Sequence, residues 1–226
     1  MQIDDIPSPN FDARAAGGPI DILLLHYTGM PSAADALERL CTPEVKVSAH
    51  YLIDEGGRIT RLVAEDRRAW HAGVSSWAGA TDINSRSIGI ELANPGHEFG
   101  YRPFPSAQMQ ALVGLAHDIM SRHPIPARRV LGHSDVAPTR KLDPGELFDW
   151  PYLAARGIGA WPATALVVAP PAASEGPALL AAYGYDIADP VAAVRAFQRH
   201  FRPDRIDGAF DSETLLRLAA LSLMDR

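Results

Sequence analysis

The stretch "IDILLLHYTG", Ile20 to Gly29, is a nearly unbroken apolar run stopped by polar residues and a glycine. Such a run suits a strand buried on both faces, the kind that lies inside a sheet covered by helices. It closes on a histidine, so His26 is placed at the sheet's edge, where a side chain can leave the core.

Working outward, "SAADALERL" begins with Ser32 as a candidate N-cap and Asp35 three residues on, which predicts a short helix. "VKVSAHYLID" and "GRITRLVA" flank "DEGG" and read as a β-hairpin. "IGIELAN" alternates, so Ile88, Ile90 and Leu92 share one face and Glu91 takes the other. Gly89 and Ala93 beside Glu91 are too small to crowd a substrate. "SAQMQALVGLAHDIMSRH" spaces Met109, Leu112, Val113, Ala116, Ile119 and Met120 as a helical stripe, closed by "HPIP". "RRVLGH" predicts a short strand ending at His133. Strands alternating with helices, through hairpin and crossover connections, predict an α/β fold with a mixed central β-sheet flanked by helices.

Near Trp161 the composition shifts. "PATALVVAPPAASEGP" is rich in Ala and Pro, as linkers are. "PALLAAYGY", "DPVAAVRAFQRHF" and "DSETLLRLAALSLM" then read as three helices. Asp189 with Pro190 opens the second, whose buried side is expected at Val191, Val194, Phe197 and Phe201. The expected organisation is a larger α/β domain over 1–162, a linker over 163–177 and a small C-terminal three-helix domain over 178–226. A unit that small leans on its neighbour for stability.

A net charge of −6 over 226 residues, without a basic stripe or tail, argues against nucleic acid as a partner. No run approaches the ~18 apolar residues of a membrane span. Cys41, the single cysteine, falls in an amphipathic run and reads as a packed thiol without a role. The acidic N-terminus lacks the pattern of a secretory signal. The expected location is the cytoplasm if Met1 is the native start, and the periplasm or cell envelope if a signal was removed.

One segment is unlike the rest. "GHSDVAPTRKLDPG", Gly132 to Gly145, holds a His, two Asp and a Lys with hardly any apolar residue, which no core segment would tolerate. His26, His133 and Asp143 end or follow predicted core elements, and two imidazoles with a carboxylate suit catalytic zinc with its fourth position open. Pro144 favours an extended backbone at Asp143, so Lys141 and Asp143 are expected to point the same way. The GxSxG elbow of a serine hydrolase and the HExxH zinc helix are both absent.

"LLLHYTG", "GIELAN" and "GHSDVAPTRKLDPG" together resemble the zinc-dependent N-acetylmuramoyl-L-alanine amidase family, the type 2 amidases. "SPNFDAR", "SAHYLI", "AWHAG" and "GIGAWP" extend that resemblance to Pro162, and "VRAFQRHF" with "RIDGAFDSET" resembles a peptidoglycan-binding domain. The resemblance implies one Zn2+ per chain on His26, His133 and Asp143. It implies Glu91 as general base for a zinc-activated water and Lys141 as the cation that stabilises the oxyanion. The implied bond joins N-acetylmuramic acid, in 1,6-anhydro forms too, to L-alanine, in peptidoglycan or released muropeptide fragments. The protein is expected to be a monomer.

His50, His71 and Trp70 fall in segments that the family places around its substrate groove. Trp70 and Trp77 can each offer an apolar side to a sugar or peptide, or serve in the core or as a lid, and His97, His117, His123 and His200 receive no role. The rival reading is a non-catalytic peptidoglycan recognition protein on the same fold, which would be expected to lack part of the ligand set kept here.

Overall fold

The computed structural model describes residues 2–15 and 18–224. Its centre is a six-stranded sheet in the order β1-β5-β4-β7-β3-β8, made of β1 (Ile3–Asp5), β3 (Ile22–Tyr27), β4 (Tyr51–Ile53), β5 (Ile59–Arg61), β7 (Ser87–Leu92) and β8 (Val130–Gly132). Only β4 and β5, joined across residues 54–58, run antiparallel, and the other neighbours are parallel. A separate ribbon pairs β2 (Phe11–Ala13) with β6 (Arg67–Ala69). The mixed sheet expected from the sequence is present.

The run at Ile22–Leu25 is fully buried because helices cover both faces of the sheet. Leu23 and Leu25, with Ile88, Ile90 and Leu92 of β7, pack against Met109, Leu112, Leu115, Ala116 and Ile119 of α4 (Ser106–Arg122). Leu115 joins the expected stripe, of which Val113 and Met120 pack against the cluster only partly buried. Shorter helices hold the connections: α1 (Ala33–Cys41), α2 (Ile83–Arg86) and α3 (Gly96–Phe99) before α4, then α5 (His133–Val136) and α6 (Trp150–Ala154) after it. Ser32 caps α1 as expected, accepting the Asp35 N–H at 3.1 Å.

Ile22 and Leu24 point to the opposite face, and there the C-terminal helices α7 (Gly176–Tyr183), α8 (Pro190–Phe201) and α9 (Ser212–Leu223) supply the cover. Leu180, Val194, Phe197, Phe201, Leu218 and Leu221 join Ile22, Leu24, Leu131 and Trp77 in one apolar cluster. Trp77 is therefore a core residue, wedged against Tyr183 and Tyr185. Val191 was expected in this core but is half exposed, because it lies in the first turn of α8, clear of the sheet. His200, which received no role from the sequence, is buried. No helix among the described residues is long and apolar enough to cross a membrane.

Candidate metal and catalytic site

Three parallel strands place the site. Residues 22, 24 and 26 alternate onto the face that α7–α9 cover, so His26, at the C-terminal end of β3, emerges beyond that cover. Glu91 pairs with His26 across the β3–β7 register and faces the same way. β8 ends at Gly132, and His133 opens the α5 turn beside them. Clefts at the carboxyl ends of parallel strands are the usual binding sites of α/β sheets. A cavity of about 630 Å³ lies here, lined by His26, Glu91, His133, Lys141 and Asp143 among others. All five residues singled out for metal and catalysis thus converge, and Lys141 and Asp143 face one space as expected.

The donor atoms nearly touch. His26 Nδ1 lies 2.9 Å from His133 Nδ1 and 3.0 Å from Asp143 Oδ2, and His133 Nδ1 lies 3.1 Å from the same oxygen. The hydrogen bonds around the two imidazoles fix where their protons are. Ala72 C=O can only accept, so in neutral imidazole His133 Nε2, 2.9 Å away, is the nitrogen that carries the proton and Nδ1 is the bare one. On the other side Ser87 Oγ donates to Ile83 C=O at 2.7 Å, so it accepts from His71 Nε2–H at 3.3 Å. His71 Nδ1 is then the acceptor for His26 Nε2–H at 3.1 Å, which leaves His26 Nδ1 bare too.

Two imidazole lone pairs and a carboxylate oxygen therefore face one another with no proton between them. That arrangement is repulsive unless a cation joins it. Its edges approach the roughly 3.3 Å separating donors that share a tetrahedral zinc at 2.0–2.1 Å. These are the only grouped metal donors among the described residues. The fit to a metal ion is good.

Charge in the site follows burial. Burial first, and then the neighbouring His133, lowers His26 to about 4, so it stays neutral as a ligand must. Burial alone would raise Asp143, but the adjacent His133 and His26 hold its carboxyl well below the usual carboxylate range. Glu91 goes the other way: burial, with the Asp143 charge adding to it, pushes its acid form well above 4.5, and only Lys141 opposes this. Its Oε2 is enclosed and has no hydrogen-bond partner among the described residues. A carboxylate left unpaired beside a metal site is a base with a free lone pair.

The three residues expected around a substrate differ in their placement. Trp70 does line the cavity, half-buried, its backbone held by Ser48. His71 reaches the cavity wall but spends its ring on His26 and Ser87, so its position is that of a support for the His26 ring. His50 lies outside the cavity, fully buried. Its Nδ1 accepts Gly89 N–H at 2.9 Å, and Nε2 faces Arg67 C=O and the Arg14 guanidinium. Gly89 also has a different use from the one expected. A Cβ there would stand 2.5 Å from the His71 ring, so the glycine makes room for His71 rather than for substrate.

Spacing gave no hint of the remaining wall. Arg140 donates to Ala72 C=O at 2.8 Å, the same carbonyl that orients His133, and to Val74 C=O. Tyr27, Arg39, Glu98 and Phe99 also line the cavity.

Residues 16–146 match a family model described as N-acetylmuramoyl-L-alanine amidase. The N-acetylmuramoyl-L-alanine amidase AmiD of Escherichia coli K12 is 41% identical over 230 residues, spanning 89% of this chain and 82% of AmiD. The 1,6-anhydro-N-acetylmuramyl-L-alanine amidase AmpD of Haemophilus influenzae is 38% identical over 163 residues, 64% of this chain and 86% of AmpD. The E. coli AmiD structure, in complex with anhydro-N-acetylmuramic acid-L-Ala-D-gamma-Glu-L-Lys, has a TM-score of 0.82 at 40% identity, covering 92% of this chain and 91% of that one. AmpDh3 from Pseudomonas aeruginosa, in complex with anhydromuramic pentapeptide, has a TM-score of 0.83 at 36% identity, covering 97% and 98%. With a family match over 16–146, a matching overall fold and this degree of identity, the chain belongs to the family of N-acetylmuramoyl-L-alanine amidases, hydrolases of an amide bond.

Proposed function

We propose that this protein uses zinc to cleave the amide between N-acetylmuramic acid, including its 1,6-anhydro form, and the L-alanine of a stem peptide. The observation that carries the reading is the set of three bare donor atoms about 3 Å apart with the unpaired Glu91 carboxylate on the neighbouring strand. The substrates named for the AmiD and AmpDh3 complexes support anhydromuramyl peptides as ligands here.

His26, His133 and Asp143 would hold the ion. Lewis acidity towards water and the scissile carbonyl is the chemistry that zinc supplies at such a site. Glu91 takes the proton of the attacking water; its raised affinity for protons suits it to keep that proton briefly and pass it to the leaving amine. Lys141 on the cavity wall places a positive charge where the carbonyl oxygen becomes anionic. The buried His71 and Ala72 contacts keep both imidazoles in the ligating tautomer. The C-terminal helices add affinity for peptidoglycan polymer by tethering the enzyme to it.

Mass spectrometry of an anhydromuramyl tripeptide incubated with the protein tests this directly. The expected products are the free sugar acid and a peptide with a new L-alanine N-terminus. Binding without any cleavage would identify a recognition protein instead.

A further inference from the structure

Asp135 is fully buried on α5, two residues after His133, and its carboxylate accepts three hydrogen bonds. Oδ2 accepts Gly132 N–H at 2.7 Å and His200 Nδ1–H at 2.7 Å, and Oδ1 accepts Tyr185 O–H at 2.6 Å. Two of these donors lie 50 and 65 positions further along the chain, among the C-terminal helices. A buried carboxylate is tolerated only when it is satisfied in this way, and short bonds to a charged acceptor are the strong, directional kind. Burial and the Asp135 charge push the Tyr185 hydroxyl well above its ordinary value, which keeps it a donor.

His200 is itself fixed. Its ring stacks on Trp150, with centroids 3.6 Å apart and planes at 17°, and on Phe201 at 3.8 Å and 9°. Trp150 in turn closes on Gly132, where an added Cβ would stand 3.4 Å from the indole and 2.7 Å from Cδ of Pro144. Pro144 follows the ligand Asp143, whose carbonyl accepts Ser134 N–H at 2.9 Å. Gly132, Pro144, Trp150, Asp135 and His200 therefore form one packed block under two of the three metal donors. None of the five lines the cavity.

We propose that the C-terminal helices are part of the metal centre: Tyr185 and His200 are positioning residues which, through Asp135, hold the α5 turn so that His133 and Asp143 converge, and so set how tightly the site keeps its metal. The inference rests on the metal reading above. An apolar cap would need only the cluster around Leu218 and Phe197 to stay attached, whereas hydrogen bonds to Asp135 define the angle of the turn that carries a ligand. Outer partners of metal ligands typically govern affinity by 10–100-fold.

The test uses the full-length protein and reads zinc affinity by competition with a chromogenic chelator, with the melting temperature of the zinc-free protein measured in parallel. Tyr185→Phe removes one hydroxyl and leaves the ring against Trp77 and Phe197. His200→Phe keeps a ring on Trp150 and removes the donor, while His200→Asn returns a donor near the Nδ1 position. Leu218→Ala weakens the same interface without touching Asp135. The expected result is zinc binding weakened at least tenfold in Tyr185→Phe and His200→Phe, partial recovery in His200→Asn, and unchanged affinity in Leu218→Ala despite its lower melting temperature. Affinities within twofold of the unaltered protein, or affinity that merely follows melting temperature through all four variants, would overturn the proposal. If the unaltered protein itself fails to take up zinc, the metal reading falls first and takes this inference with it.

Discussion

His26 and His71 meet nitrogen to nitrogen at 3.1 Å with their ring planes at 87°, and this contact decides which nitrogen of His26 is free to bind a metal. His71→Ala removes the acceptor for His26 Nε2–H. Zinc affinity is expected to fall 10–100-fold by chelator competition, with circular dichroism unchanged. Unaltered affinity would mean that backbone packing alone orients His26.

Gly89→Ala tests the same contact from behind. The new methyl would stand 2.5 Å from the His71 ring, on a central strand that cannot shift easily. Overpacking of this kind costs about 1–3 kcal/mol, and here it should also displace His71 from His26. A lower urea midpoint accompanied by reduced zinc retention is expected. A stability loss with normal zinc retention would separate the glycine's role from the metal.

Glu91 and Lys141 should separate chemistry from metal binding. Glu91→Gln is expected to keep the metal and lower kcat about 10²–10⁴-fold. Lys141→Met is expected to lower kcat about 10²–10³-fold. Because the Lys141 charge favours the ionised form of Glu91, Lys141→Met should also move the acid limb of kcat/KM to higher pH. A limb that stays in place would assign it to another group.

Acid stability has its own site, away from the cavity. Glu65 accepts Tyr51 O–H at 2.7 Å, Arg122 Nη2–H at 2.8 Å and His123 Nε2–H at 2.7 Å. Burial alone would raise its carboxyl, but these partners, Arg122 and Tyr51 foremost, hold it down at about 2. The unfolded chain takes up that proton near 4.5, so the stabilisation is complete above that pH and disappears as pH falls towards 2. Glu65→Gln should lose about 1–2 kcal/mol at pH 7, because solvent around the partly exposed Arg122 screens the pair, and show a flatter decline in urea midpoint between pH 4.5 and 2 than the unaltered protein. An equally steep decline in the variant would place the acid sensitivity elsewhere.

What could be read from the sequence was what repeats along the chain. The Ile22–Leu25 run fixed a strand covered on both faces, and alternation in β7 put Glu91 opposite its apolar neighbours, where it meets His26. The Ala/Pro segment and the three helical stretches were equally visible. The second layer of the site was not, because it is made by distant contacts between residues of ordinary type. Nothing local to "AWHAG" distinguishes a ring that faces substrate from one that braces His26. Gly89 looked like space for a ligand until the His71 ring filled it. His200 sits on a helix whose 3.6-residue pattern identifies Phe197 and Phe201 as core, yet its partner Asp135 is 65 residues away. Val191 fits that pattern too but lies a turn beyond the edge of the sheet's cover.

The most direct measurement is a zinc titration of metal-free protein in which bound metal and cleavage of an anhydromuramyl peptide are followed together. Activity should rise in proportion to bound zinc and stop at one equivalent per chain, while Asp143→Ala gains neither metal nor activity over the same range. Cleavage by metal-free protein, or an Asp143→Ala variant that keeps its turnover, would contradict the assignment of the reaction to His26, His133 and Asp143.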